Sequence, residues 1–159
     1  MGVSGSGKTT LGHALAERLG WPFLEGDDLH PQANRAKMAA GVPLEDADRA
    51  PWLEAISDWI AARIGDGGSG VVACSALKRA YRAVLAADRP EVWFVLQDGP
   101  AEVLQARLKT RRGHFMPPAL LDSQLETLER PTADEQAVIV DLRLPIDEQA
   151  AAALAALPA

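Results

Sequence analysis

A chain of 159 residues, 48% hydrophobic and 24% charged, can bury one core and is too short to hold two. Its 16 basic against 22 acidic residues leave a net charge of −6, which argues against a nucleic-acid coat protein and means that any anionic ligand must be met by local clusters of cations. There is no apolar run of about 18 residues and no basic-then-apolar leader, so no membrane span is expected; the single cysteine, Cys74, has no partner for an internal disulfide, which fits a reducing cytoplasm.

The chain opens MGVSGSGKTT. Gly2-Val3-Ser4-Gly5-Ser6-Gly7-Lys8-Thr9 satisfies the pattern G-x-x-x-x-G-K-[ST] without a mismatch. The glycines let the backbone turn so that the N–H groups of the loop, as far as Thr10, converge on phosphate oxygens. Lys8 reaches the terminal phosphates, and the Thr9 hydroxyl is the expected Mg²⁺ ligand. A helix should follow, since its N-terminal dipole adds to the anion site. Leu11, Leu15 and Leu19 form its apolar stripe and Gly20 its C-terminal cap.

Beyond the loop, short apolar runs alternate with helical patterns, the signature of βαβ units and a parallel sheet. Strands are expected at Pro22–Glu25, Gly70–Cys74, Val92–Leu96 and Ala137–Asp141. Helices are expected around Asp48–Ile64, Lys78–Ala86, Ala101–Arg111, Pro118–Glu129 and Asp147–Leu157. Trp52 and Trp59 fall on the apolar stripe of the first of these and read as core. No internal repeat breaks the chain, so residues 1–159 form one expected domain with a lid-like segment around 107–125.

Ligands bind beyond the carboxyl ends of parallel strands, so the residues after each strand carry the chemistry. After the first comes GDDLHP. A carboxylate there can accept the proton of a hydroxyl that attacks a γ-phosphate, or Asp27 and Asp28 can simply cap the next helix behind Pro31. After the second comes CSALKRAYR, where Lys78 and Arg82 share one helical face; they present two cations to an anion or form a solvated basic face. Cys74 reads as a small buried side chain at the strand end, and Ser75 stands where related folds often carry a metal-shell carboxylate. After the third, Arg107, Lys109, Arg111 and Arg112 lead to Gly113. A helix C-terminus favours such residues anyway, but beside a phosphate loop a cationic lid that neutralises the transferred phosphoryl is preferred.

Taken together, GVSGSGKT, GDDLHP with Asn34, Lys37 and Met38 after it, PLEDADRAPWL, CSALKRAYR, and RRGHF through QLETLERP resemble gluconate kinase of the small single-domain type, from Gly2 to about Asp141. The resemblance implies a three-layer, nucleoside-monophosphate-kinase-like phosphate-loop fold. It implies transfer of the ATP γ-phosphate to the 6-hydroxyl of D-gluconate with Mg²⁺, and commonly a homodimer. It makes Asp27 the residue that orients or deprotonates the hydroxyl and leaves Asp28 without a role. It brings His30, Arg49, Lys78 and Arg82 to the sugar-acid site, Arg107, Arg111 and His114 to the lid, and Gln124 to the segment after it.

One element is missing from the pattern. The strand that feeds such a loop is central in this fold, and only Met1 precedes Gly2. Four or five buried side chains at about 1.5–3 kcal/mol each are on the order of a whole domain's stability, so the polypeptide is expected to begin upstream. Taken as it stands, the chain should show four parallel strands with a gap beside the loop. Other readings are a kinase for another sugar acid or a shikimate-like substrate, a regulatory nucleotide binder, for which the guanine tetrad N-K-x-D is missing, and an inactive fragment.

Overall fold

The computed structural model describes residues 1–110 and 118–157. Helix α1 (Lys8–Leu19) starts directly at the phosphate loop and stops at Gly20, whose φ of 67° is left-handed. There the N–H of Trp21 donates to the Ala16 carbonyl at 2.9 Å and that of Gly20 to Glu17 at 3.3 Å, closing carbonyls the helix leaves open. The remaining helices are α2 (Gln32–Ala39), α3 (Asp46–Gly65), α4 (Arg79–Ala86), α5 (Ala101–Thr110), α6 (Pro118–Thr127) and α7 (Ile146–Ala156). The strands are β1 (Phe23–Glu25), β2 (Val71–Ala73), β3 (Phe94–Asp98) and β4 (Ala137–Asp141).

All four described strands pair in parallel, but in two separate ladders. β1 lies on β2 with Phe23 opposite Val71, and β3 lies on β4 with Phe94 opposite Ala137. Between the ladders runs the start of the chain. The Met1 amino group donates to the Val95 carbonyl at 2.6 Å, and burial lowers its pKa to about 5. The Gln97 N–H donates to the Met1 carbonyl at 3.1 Å, and the Gly2 N–H to the Ser75 carbonyl at 3.2 Å. The expected gap beside the loop is there, bridged at its edge by Met1 and Gly2, and the phosphate loop leaves from it beside the carboxyl ends of β2 and β3.

The helices form the two outer layers. On one face α1 packs with α7, burying Leu11, Leu15, Ala150 and Ala153 against Val140 of β4. On the other α3 packs with α4, where Trp52, Ile56, Tyr81 and Leu85 close over Cys74 at the end of β2. Cys74 is the small buried side chain expected, and burial pushes its thiol up to about 12. A third cluster, Val3, Leu77, Leu104, Leu121 and Leu142, sits beneath the phosphate loop and ties α5 and α6 to it.

Two element starts and one unexpected helix have local reasons. α3 starts two residues early because the Asp48 carboxylate accepts the Glu45 N–H at 2.9 Å, a cap that fixes its first turn. β3 starts late because Ala87 and Asp88 are left-handed, with φ of 41° and 60°, and the Val92 N–H is spent on the Arg89 carbonyl at 3.2 Å. The polar helix α2, behind Pro31, has only Asn34 buried and so shows little apolar period.

Candidate active site

The phosphate loop takes its shape from backbone that only glycine adopts easily. Gly5 and Gly7 have φ of 79° and 105°; a Cβ would lie 3.0 Å from Leu108 Cγ at Gly5 and 3.2 Å from Gln97 Nε2 at Gly7. Side chains from three other elements then hold the loop. Gln124 of α6 accepts the Ser4 N–H at 2.7 Å. Arg107 of α5 donates through Nη1 to the Ser6 carbonyl at 3.0 Å and through Nη2 to the carbonyl of Leu142, just past β4. Lys8 Nζ donates to the Val3 carbonyl at 3.0 Å, inside the loop, and Thr9 Oγ1 donates to Glu25 Oε2 at 2.6 Å. Thr10 lies exposed in the first turn of α1.

Glu25 carries no assignment from sequence. It is the last residue of β1, so its carboxylate reaches the same edge of the sheet as the loop. Its position at a strand's carboxyl end beside a phosphate-loop threonine is the signal that could have singled it out.

Across from the loop, residues Gly26–Leu29 form a 3₁₀ turn that carries Asp27. The turn lies against β2, where a Cβ on Gly26 would sit 2.6 Å from the Ala73 carbonyl. Trp52 Nε1 donates to the Gly26 carbonyl at 2.7 Å and so anchors the turn to α3. The Asp27 side chain is 69% exposed, whereas His30 behind it is 3% exposed and stacks on Trp52 with ring centroids 4.3 Å apart. Burial lowers the His30 pKa most strongly; Asp27 opposes the shift, and Arg49 and Arg35 add to it.

The start of α3 gathers the cations. Asp46 accepts Lys78 Nζ at 2.8 Å and the Tyr81 hydroxyl, and Asp48 accepts Lys37 Nζ at 2.6 Å. The Lys78 hydrogen bond holds the Asp46 carboxyl below its ordinary range, and the same contact raises the Lys78 ammonium. Arg49 and Lys78 both lie over the Tyr81 ring, 5.9 and 5.4 Å from its centroid. Among the described residues Arg49 has no carboxylate within ion-pair distance.

Asp27 and His30 thus lie together on the turn after β1, Arg49 and Lys78 lie together over Tyr81, and Arg107 and Gln124 lie on the loop. Arg82 is not brought to the site. It is 1% exposed, and its guanidinium spends itself on Glu135 at 2.6 and 2.9 Å and on the carbonyls of Ala76, Leu77 and Glu129. Four residues along a short helix turned it under the loop after β2 rather than beside Lys78. Arg107 spends its guanidinium on the Ser6 and Leu142 carbonyls, although it also borders an open depression along α5 with Glu102, Val103, Ala106 and Thr110. Arg111 and His114 lie outside the described residues.

A glycine-shaped anion loop at a helix N-terminus, facing a carboxylate and a cluster of cations across the edge of a parallel sheet, defines a phosphate-loop phosphotransferase. The shikimate kinase family model matches residues 4–153. A gluconokinase of Gluconobacter oxydans (strain 621H) is 54% identical over 88% of this chain and 79% of its own, and the thermosensitive gluconokinase of Escherichia coli (strain K12) is 50% identical over 87% and 74%. A solved gluconokinase from Sinorhizobium meliloti 1021, 50% identical, superposes with a TM-score of 0.89 over 98% of this chain and 87% of that one. The chain belongs to the gluconokinases within the shikimate kinase family and is an ATP-dependent phosphotransferase acting on an alcohol.

Proposed function

We propose that the protein transfers the γ-phosphoryl group of ATP to the 6-hydroxyl of D-gluconate, giving 6-phospho-D-gluconate and ADP. The observation that carries the reading is how the candidate residues are grouped. An amide-lined phosphate loop with Lys8 opens α1, Asp27 stands on the turn after β1 before His30, and Arg49 and Lys78 meet over the Tyr81 ring at the start of α3 and α4. The names of the relatives supply the sugar acid.

In this reading the loop amides and Lys8 hold the triphosphate. The hydroxyl oxygen attacks the γ-phosphorus, the bond from that phosphorus to the β-bridging oxygen breaks, and the hydroxyl proton passes to the Asp27 carboxylate. Arg49 meets the gluconate carboxylate, and Lys78 and the Tyr81 face border the polyol. Arg107 keeps the loop in shape through the Ser6 carbonyl. Among the described residues no three His, Cys, Asp or Glu side chains cluster to hold a metal by themselves. That suits Mg²⁺, which uses few protein oxygens and otherwise nucleotide phosphates, with the Thr9 hydroxyl as the protein oxygen that would hold it. When bound it neutralises phosphate charge; Glu25 accepts the Thr9 proton and so turns the hydroxyl lone pairs outward. A cytoplasmic homodimer goes with this reading, and no described helix is long and apolar enough to cross a membrane.

The test is ADP formation against a panel of sugar acids and shikimate. D-Gluconate should give the highest kcat/KM; shikimate or another sugar acid turned over as well or better would replace the substrate.

A further inference from the structure

The buried ring behind Asp27 has its proton placed by the atoms around it. The Asp48 carbonyl lies 2.7 Å from Asn34 Nδ2, and since a carbonyl can only accept, this contact fixes which way the Asn34 amide points. The same nitrogen lies 3.3 Å from His30 Nδ1. An amide nitrogen cannot accept, so His30 Nδ1 receives its second hydrogen and carries none of its own. The neutral ring then has its one proton on Nε2, the atom 4.0 Å from Asp27 Oδ1.

The ring cannot easily turn away. It is stacked within 12° of parallel on Trp52, which is itself fully buried and bonded to Gly26. The backbone behind it is clamped as well: Arg35 donates through Nε to the His30 carbonyl at 3.0 Å and through Nη2 to the Asp28 carbonyl, and the His30 N–H donates to the Asp27 carbonyl at 3.3 Å. Asp27 has the opposite freedom. Its largely exposed side chain needs only a change of rotamer to bring one oxygen within hydrogen-bond range of Nε2.

We propose that His30 is a positioning residue for Asp27: Asn34 keeps the imidazole proton on Nε2, and that proton binds one Asp27 oxygen so that the other faces the acceptor hydroxyl. This rests on the reading of Asp27 as the proton acceptor. His30 neither gains nor loses a proton in the step. It also differs from a sugar ligand, because a ring this buried offers the cleft almost no surface.

The test has a spectroscopic and a kinetic arm. Long-range nitrogen–proton correlation spectra of the folded protein at neutral pH, with His30 assigned by its disappearance in His30→Gln, should show Nε2 protonated and Nδ1 bare. Asn34→Asp, which offers Nδ1 an acceptor, should move the proton to Nδ1. Glutamine places its amide nitrogen near Nε2 and asparagine near Nδ1. His30→Gln should therefore keep kcat within about tenfold of the parent, and His30→Asn should lose on the order of a hundredfold, the scale of general-base assistance. KM for gluconate should move less than about threefold in both. An Nδ1–H ring in the parent protein overturns the proposal without any variant, as does a His30→Asn enzyme as active as His30→Gln. Full activity in Asp27→Asn overturns it by the separate route of removing Asp27 from the reaction, and the ring spectrum then still reports the Asn34 contact on its own.

Discussion

Arg82→Met tests whether the second cation of the KRAYR stretch serves the fold or the substrate. Arg82 and Glu135 are 1% and 11% exposed, so the substitution leaves the Glu135 carboxylate largely buried without its partner and strips a donor from the carbonyls of Ala76, Leu77 and Glu129. Breaking a buried pair from one side costs about 3–5 kcal/mol. At roughly 2–4 °C per kcal/mol for a chain of this size, the melting temperature should fall by on the order of 10 °C. The double variant Arg82→Met/Glu135→Leu should recover much of that loss, because no charge is then stranded. Calorimetry of both variants gives the stability, and KM for gluconate below the melting range gives the site. A Met variant that melts with the parent while KM rises tenfold would refute the brace and return Arg82 to the substrate.

Arg107→Ala should lower ATP affinity and turnover together, each by on the order of tenfold, since it releases the loop carbonyl at Ser6 and the segment at Leu142; turnover lost at unchanged affinity, by titration calorimetry, would instead put Arg107 on the transferred phosphoryl. Gln124→Leu should cost about 1 kcal/mol in urea unfolding, the worth of one hydrogen bond, and leave KM for gluconate unchanged. A raised KM would make Gln124 a substrate ligand. Arg49→Leu should raise KM for gluconate at least tenfold with KM for ATP unchanged, and equal changes in both would refute its place at the acceptor. Because burial depresses the His30 pKa, the unfolded chain binds a proton near pH 6.5 that the folded chain refuses. Below about pH 6.5 stability should therefore fall more steeply than the Met1 amino group, whose lowered pKa acts from about pH 8 downward, would produce by itself, and His30→Gln should make that slope shallower; an unchanged slope would mean that His30 adds nothing to it.

What could be read in advance followed the period and the motif. The loop pattern and the Leu11, Leu15, Leu19 stripe suffice for α1 because they depend on residues close in sequence. The four strands were legible as apolar runs, with one or two residues lost at the ends of β1 and β2 and β3 shifted by two, where the turn at Arg89 consumes Val92. Partnerships across the fold were not legible. Glu25 meets Thr9 only after β1 has been laid beside α1, and Gln124 meets Ser4 only when α6 has folded back under the loop. Lys78 and Arg82 look equivalent on paper; a tertiary acceptor, Glu135, takes one inward and Asp46 holds the other at the rim. Asn34 stood in the recognisable stretch without a role, since only the Asp48 carbonyl gives its amide a direction.

The charge pattern at α3 explains how an acidic chain can hold two anions without collecting a large positive surface. A net charge of −6 repels ATP at long range, and ionic screening confines that repulsion to about 8–10 Å. Inside that distance the phosphate loop relies on oriented amides and Lys8, which cost no surplus charge elsewhere. At the start of α3, Asp46 and Asp48 pair with Lys78 and Lys37, so four of the charges close into two neutral units, and Asp46 also accepts the hydroxyl of Tyr81, whose ring Arg49 covers. Arg35 is taken up by the His30 and Asp28 carbonyls, which leaves Arg49, over the Tyr81 ring, with neither a carboxylate nor a carbonyl as partner among the described residues. A single carboxylate on a polyhydroxylated chain would match the charge of Arg49 and leave the Lys78–Asp46 pair intact.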